Sequence, residues 1–199
     1  MNLSPEDVMR FHDECLAAPE WAKATPPRFG EGIWHFIELN HRYNNLLWDE
    51  EDQARRTDVP DAAIAANKRA IDGCNQKRND AIERMDEIIL SALSDIPRKQ
   101  DARLNSETAG SMIDRLSIIA LKIRAMGEQT RRKDAGPEHV ERCGEKLARL
   151  KEQREDLAAC LADLLAGCRA GNAFYKIYRQ FKMYNDPTMN PCLYGGGKR

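Results

Sequence analysis

Apolar residues recur every three or four positions along nearly the whole chain, and no segment alternates with the two-residue period of a half-buried strand. That periodicity restricts the fold to helices packed on helices. It is clearest from about Pro137 to Cys168. Val140, Leu147, Arg154, Leu161 and Cys168 share one heptad position there, and Cys143, Leu150, Leu157 and Leu164 share the other. At a rise of about 1.5 Å per residue such a helix is roughly 48 Å long.

The other helices announce themselves by their ends. Ser4-Pro5-Glu6-Asp7 combines a capping hydroxyl, a proline suited to the first helical position and early acidic residues. Pro19 and the Pro26-Pro27 pair predict an extended connection after this helix. A second helix is predicted over about 32–56. A third runs from Pro60 to about Ser94, with Ile64, Ile71, Asn75, Arg78, Ile82, Met85 and Ile89 stepping along its core face. Ser106 is the expected cap of a fourth, whose stripe of Ala109, Met112, Leu116, Ile119, Ile123 and Met126 is widened by Ile113, Ala120 and Leu121. A stripe that wide predicts burial on more than one face. From Ala173 a short helix is predicted, docked by Phe174, Tyr175, Tyr178, Phe181 and Tyr184 with Lys176, Arg179 and Lys182 outward, and then a tail rich in Pro and Gly. The expected fold class is all-α. It is an antiparallel bundle of about four long helices in one domain over 1–199, with 1–31 as an N-terminal helix plus Pro-rich linker and 172–199 as a docked helix plus tail.

Composition removes several function classes. The chain has 31 Lys and Arg against 32 Asp and Glu, a formal net charge of −1. A balance of that kind offers no electrostatic case for nucleic acid or an anionic membrane. No run approaches the roughly 18 apolar residues of a membrane span, and the N-terminus lacks the basic and apolar regions of a signal peptide. The six cysteines form no Cys-x-x-Cys pair and suit apolar packing in a reducing compartment, so a cytoplasmic location is expected. Glu38-Leu-Asn-His41 has the Glu-x-x-His spacing of di-iron bundles, but no second copy exists, and His35, Glu38 and His41 alone are a weak mononuclear set. No metal or cofactor is expected. There is no nucleophile elbow, phosphate-binding loop or dinucleotide fingerprint, so no catalytic residue is assigned.

The informative exceptions are polar residues in or beside the apolar stripes. Asn40, Asn44, Glu51 and Arg55 line one flank of the second helix, with Trp34, His41 and Trp48 recurring beyond them every seven residues. Asn75 and Arg78 stand where the third helix calls for Ile or Leu, with Asn79 beside them. Glu107, Asp114 and Arg115 belong to Leu104–Ile123, LNSETAGSMIDRLSIIALKI, and Arg154 takes a core heptad position. Aromatic faces beside amides and carboxylates suit a sugar or another polar ligand. A buried Arg needs a carboxylate or an anionic ligand. Two readings follow: Arg78, Arg115 and Arg154 converge on an anion, or the polar residues pair among themselves and set helix register. Gly110 inside a helix points to close helix approach or ligand access. The helix start before it is either an ordinary cap or an anion site.

Four segments, NNLLWDEEDQAR, NQKRNDAIERMD, LNSETAGSMIDRLSIIALKI and QFKMYNDPTMNPCLY, together resemble an uncharacterised bacterial family, a domain of unknown function, over about Trp34 to Tyr194. That resemblance implies an all-helical cytosolic protein whose gene tends to lie beside sugar transferases of lipopolysaccharide and other envelope glycans. It supplies no catalytic residues. More loosely, RAIDGCNQKRNDAIERMD is similar to the first helix of helical chorismate mutases, where arginines inside a bundle bind a dicarboxylate. The resulting expectation is an accessory or binding protein of envelope glycan synthesis, with a glycosyltransferase, a sugar phosphate or a nucleotide sugar as partner. An enzyme acting on a small anionic or sugar-phosphate substrate, and a homodimer joined through its polar stripes, are the alternatives.

Overall fold

The structure, a computed structural model, describes residues 3–179, 183 and 186–194. It is mostly helical. Four helices are long: α3 (Gly32–Gln53), α4 (Asp61–Ala92), α5 (Ala109–Gln129) and α6 (Pro137–Arg169). Ahead of them stand α1 (Pro5–Ala17) and the single turn α2 (Trp21–Ala24), and α7 (Pro191–Tyr194) comes last. Ser4 caps α1 by accepting the Asp7 amide at 3.1 Å, with Pro5 at the first helical position, as expected.

α3 and α4 form a hairpin whose contacts run in opposite order along the two helices. Asn67 donates to Glu50, Lys77 lies over the Tyr43 ring, and Arg84 lies over Phe36. α5 packs extensively on α6 and also touches α1, α3 and α4. The widened apolar stripe of α5 is the cause: Met112, Ile113, Leu116, Ile119, Ala120 and Leu121 point in several directions and are all buried. The core gathers Val8, Cys15, Ile37, Met85, Ile89, Ile113, Leu116 and Leu161, from five helices. All six cysteines are free, and burial pushes the Cys15 thiol up to about 12.

At Gly110 α5 comes tightly against α4. A Cβ there would sit 2.7 Å from the Ile82 carbonyl oxygen and 2.9 Å from the Asp86 carboxyl carbon. The obstacle is partly backbone, so it cannot swing aside. Gly110→Ala is expected to cost about 1–3 kcal/mol through overpacking. Gly73→Ala, in the same hairpin but with nothing within 4 Å of its Cβ, should instead gain up to about 1 kcal/mol. Urea midpoints of the two variants check this, and a neutral Gly110→Ala would refute the close-approach reading.

Three expectations are corrected. Thr108, not Ser106, caps α5, accepting the Ser111 amide at 3.1 Å. The connector between α1 and α3 is not wholly extended: α2 forms because burying Trp21 brings the backbone into one helical turn. Over residues 173–179 the segment is not a helix. Gly171, at φ +72°, ends α6 with the Asn172 amide returning to Gly167 and the Gly171 amide to Cys168. The chain then runs as β2 (Ala173–Phe174) parallel to β1 (Arg103–Leu104), so its backbone groups bond across rather than within a helix. Tyr175 is buried, Arg98 covers the Phe174 ring, and Arg179 reaches Glu83 and Glu87 of α4. Phe181, Lys182 and Tyr184 lie outside the described residues.

Candidate functional site

Asn40, His41 and Asn44 project from one side of α3 toward Asp114 and Ser117, one turn apart on α5. The Asn40 and Asn44 amides donate to the same Asp114 oxygen, at 2.8 and 2.9 Å. Asn44 also donates to Ser117 Oγ at 3.0 Å, and His41 Nδ1 is 2.7 Å from that hydroxyl. All five side chains are buried. Buried polar groups tolerate such a position when each has a partner, and this inner half of the layer is closed on itself except at His41 Nε2, which is buried without one.

The outer half is open. Arg78 of α4 approaches Asp114 at 3.9 Å, and its Nε, itself shielded from solvent, makes no hydrogen bond. From there a cleft of about 380 Å³ runs out between α3, α4 and α5, lined by Asn44, Leu47, Trp48, Glu51, Asp52, Arg55, Arg78, Ile118 and Leu121. Glu51 and Arg55 pair at 3.0 Å across its rim. The cleft therefore offers an aromatic wall, carboxylates that accept hydrogen bonds, and the Arg78 guanidinium that donates them.

The residues singled out in the sequence divide into two groups. Asn40, Asn44, Trp48, Glu51, Arg55, Arg78 and Asp114 come together in the layer and the cleft. The others do not. Asn75 is half-buried and lines neither. Asn79 is buried beside a small recess shared with Asp86, Thr108 and Ser111. Arg115 binds Glu107 through two hydrogen bonds of 2.7 and 2.9 Å, and neither residue lines the cleft. Arg78, Arg115 and Arg154 do not converge. Arg154 pairs with Asp13 at 2.9 Å and donates to the Met9 carbonyl, tying α6 to α1. The anion-binding start of α5 is filled by the chain itself: Asp86 accepts the Gly110 amide at 2.7 Å. Burial pushes the Asp86 carboxyl up to about 6 even though that amide pulls it down.

Two buried clusters escape a sequence reading. Glu38 accepts the amides of Arg28 and Phe29 and pairs with Arg42 at 3.1 Å. Arg42 in turn donates to the carbonyls of Trp21, Ala22 and Thr25 and stacks on the Trp21 ring. The Glu-x-x-x-Arg spacing was the available signal, since it marks an i, i+4 pair. Glu38 and His41 thus serve different partners, and among the described residues no group of three or more His, Cys, Asp or Glu is placed to hold a metal. The second cluster is His12 stacked on His41 with centroids 4.4 Å apart, both fully buried. Burial, then the charges of His41 and Arg154, holds His12 well below its ordinary value. Burial above all holds His41 down to about 3.

The profile of a family described as a protein of unknown function, DUF4254, matches residues 34–177. The chain belongs to the DUF4254 family. Its matched span contains the whole polar layer and the cleft, and leaves out α1, which carries His12 and Asp13. No curated protein and no solved structure matches the chain. Among the described residues no helix is long and apolar enough to cross a membrane.

Proposed function

We propose that this DUF4254 chain is a binding protein for a polar, sugar-type ligand, such as a sugar phosphate or nucleotide sugar, acting as an accessory of lipopolysaccharide or envelope glycan synthesis alongside a glycosyltransferase. The observation that carries the reading is the cleft at Trp48. It joins one indole face to Glu51, Asp52, Asn44 and the under-partnered Arg78, within the 300–1,000 Å³ range of small-molecule sites. Hydroxyl groups suit this lining, because carboxylates accept from them while Arg78 donates to them. The closed inner layer positions the site: Asp114 holds Asn44 in place and draws Arg78 toward the cleft floor. The resemblance noted above to a family encoded beside envelope-glycan sugar transferases supports the biological setting.

A thermal-shift screen with nucleotide sugars and sugar phosphates tests it. A ligand at about 100 times its Kd adds about 2.7 kcal/mol, a rise of roughly 5–10 °C for a chain of this length. Glu51→Gln and Trp48→Ala should abolish the rise, while Glu107→Gln, outside the cleft, should retain it. A panel giving no shift, or a shift indifferent to Glu51 and Trp48, would sink the proposal.

A further inference from the structure

The heptad pattern of α6 predicts burial of Val140, Leu147 and Leu150, yet all three are only half-buried. Facing them, Ala125 and Met126 of α5 are half-buried too. Between these helices opens a second cleft, of about 470 Å³, on the other side of Trp48 from the first. Its charge is of one sign. Lys122, Lys146 and Arg149 line it, no carboxylate does, and none of the three has an ion-pair partner within 4 Å among the described residues. Its wall between these cations is apolar, formed by Trp48, Ala125, Met126 and Leu150. The first cleft, which shares Trp48, is mixed in charge instead, with Glu51 and Asp52 beside Arg55 and Arg78.

An apolar wall left uncovered favours an apolar body. Three unpaired cations around it favour a compact anion, and the guanidinium fork with two ammonium groups suits the doubly charged, many-oxygen head of a phosphomonoester. We propose that this cleft is a binding site for an amphipathic phosphate. Its phosphate head is held by Lys122, Lys146 and Arg149, and its apolar chain lies against Trp48, Met126 and Leu150. This goes beyond the sugar-type reading of the first cleft and shares with it only Trp48.

Octyl phosphate, below its micellar range, is the probe, with binding read by titration calorimetry and tryptophan fluorescence. Binding should weaken with added salt. The charge reversals Lys122→Glu, Lys146→Glu and Arg149→Glu, all at exposed positions, should each weaken it several-fold and together at least a hundredfold, with unchanged circular dichroism. If the triple variant fails to fold, Leu150→Gln replaces it and should cost about tenfold. Inorganic phosphate should bind at least tenfold more weakly, and octyltrimethylammonium should not compete. Glu51→Gln should leave octyl phosphate binding unchanged, which separates this site from the first cleft. The proposal is overturned by binding that ignores the charge reversals, by equal binding of inorganic phosphate, or by no binding at millimolar octyl phosphate. A dimer in sedimentation that Leu150→Gln dissociates would also overturn it, because a second copy would then cover the cleft.

Discussion

Glu38→Ala is expected to destabilise the protein by about 3–5 kcal/mol, the usual cost of removing one partner from a buried ion pair. Total stabilities of single domains are only about 5–15 kcal/mol, so this is a large share. Glu38 has no solvent exposure, and its carboxylate is the acceptor for two connector amides as well as for Arg42. Without it the Arg42 guanidinium stays buried against Trp21 with carbonyls alone to answer its charge. The connector loses its anchor in the same step, since the Arg28 and Phe29 amides have no other acceptor of this kind. Urea unfolding should show a lowered midpoint, and the melting temperature should fall by roughly 6–20 °C. The double variant Glu38→Ala/Arg42→Met should recover part of the loss, because the uncompensated charge is gone. A single variant within 1 kcal/mol of wild type, or a double variant worse than both singles combined, contradicts this account.

Acidification should produce the second large effect. Folded His12 and His41 are neutral through most of the acid range, with His41 held at about 3. In the unfolded chain both take up protons near pH 6.5. Below that pH the unfolded state binds more protons, so stability is full above about 6.5 and declines as pH falls toward the folded value. His41 contributes about 1.4 kcal/mol per pH unit below 6.5, or roughly 3 kcal/mol by pH 4.5, and His12, held down in the same direction, adds to it. Asp86 works the other way. Its folded value is raised from 3.8 to about 6, so its penalty is full above 6 and is relieved as pH falls through that window. This offsets roughly 2 kcal/mol by pH 4.5, less than the two histidines lose together. The groups around the pair are Arg42 of α3, Arg124 of α5 and Arg154 of α6, all cationic, and they reinforce neutrality. Urea melts at pH 7, 5.5 and 4.5 measure the slope. His12→Phe should flatten it and raise stability at neutral pH, because both His12 ring nitrogens are buried without a partner. A wild-type stability flat from pH 7 to 4.5, or an unchanged slope in His12→Phe, rules this out.

The candidate site was legible in outline. Asn40, Asn44, Arg78 and Asp114 all stand out as polar residues at apolar positions, and the structure brings all four together. Glu51, Arg55 and Trp48 follow from their spacing along the same flank of α3. Asn75, Glu107 and Arg115 looked equivalent by residue type but do not share the site. A helical pattern says which face a residue occupies, and Arg115 lies one position, about 100° around the helix, from Asp114. That turn takes it to Glu107 on the exposed side. Asp86 shows the complementary limit. It closes the NQKRNDAIERMD motif, and only the packing of α4 on α5 makes it the acceptor for the Gly110 amide.

What the sequence by itself determined is the local level: that the chain is helical, where α1, α3, α4, α5 and α6 run to within a few residues, the Ser4 cap, and which stripes carry misplaced polar groups. Caps and three-to-four periodicity are encoded within one or two turns, so a local reading suffices. Only the tertiary structure decided which neighbour each stripe meets. Arg154 finds Asp13 across 141 positions, Asn40 finds Asp114 across 74, and the segment after Gly171 becomes a strand because Arg103–Leu104 presents a free backbone edge. Those choices depend on the order in which helices pack and on the burial that results. No residue's near neighbours along the chain carry that information.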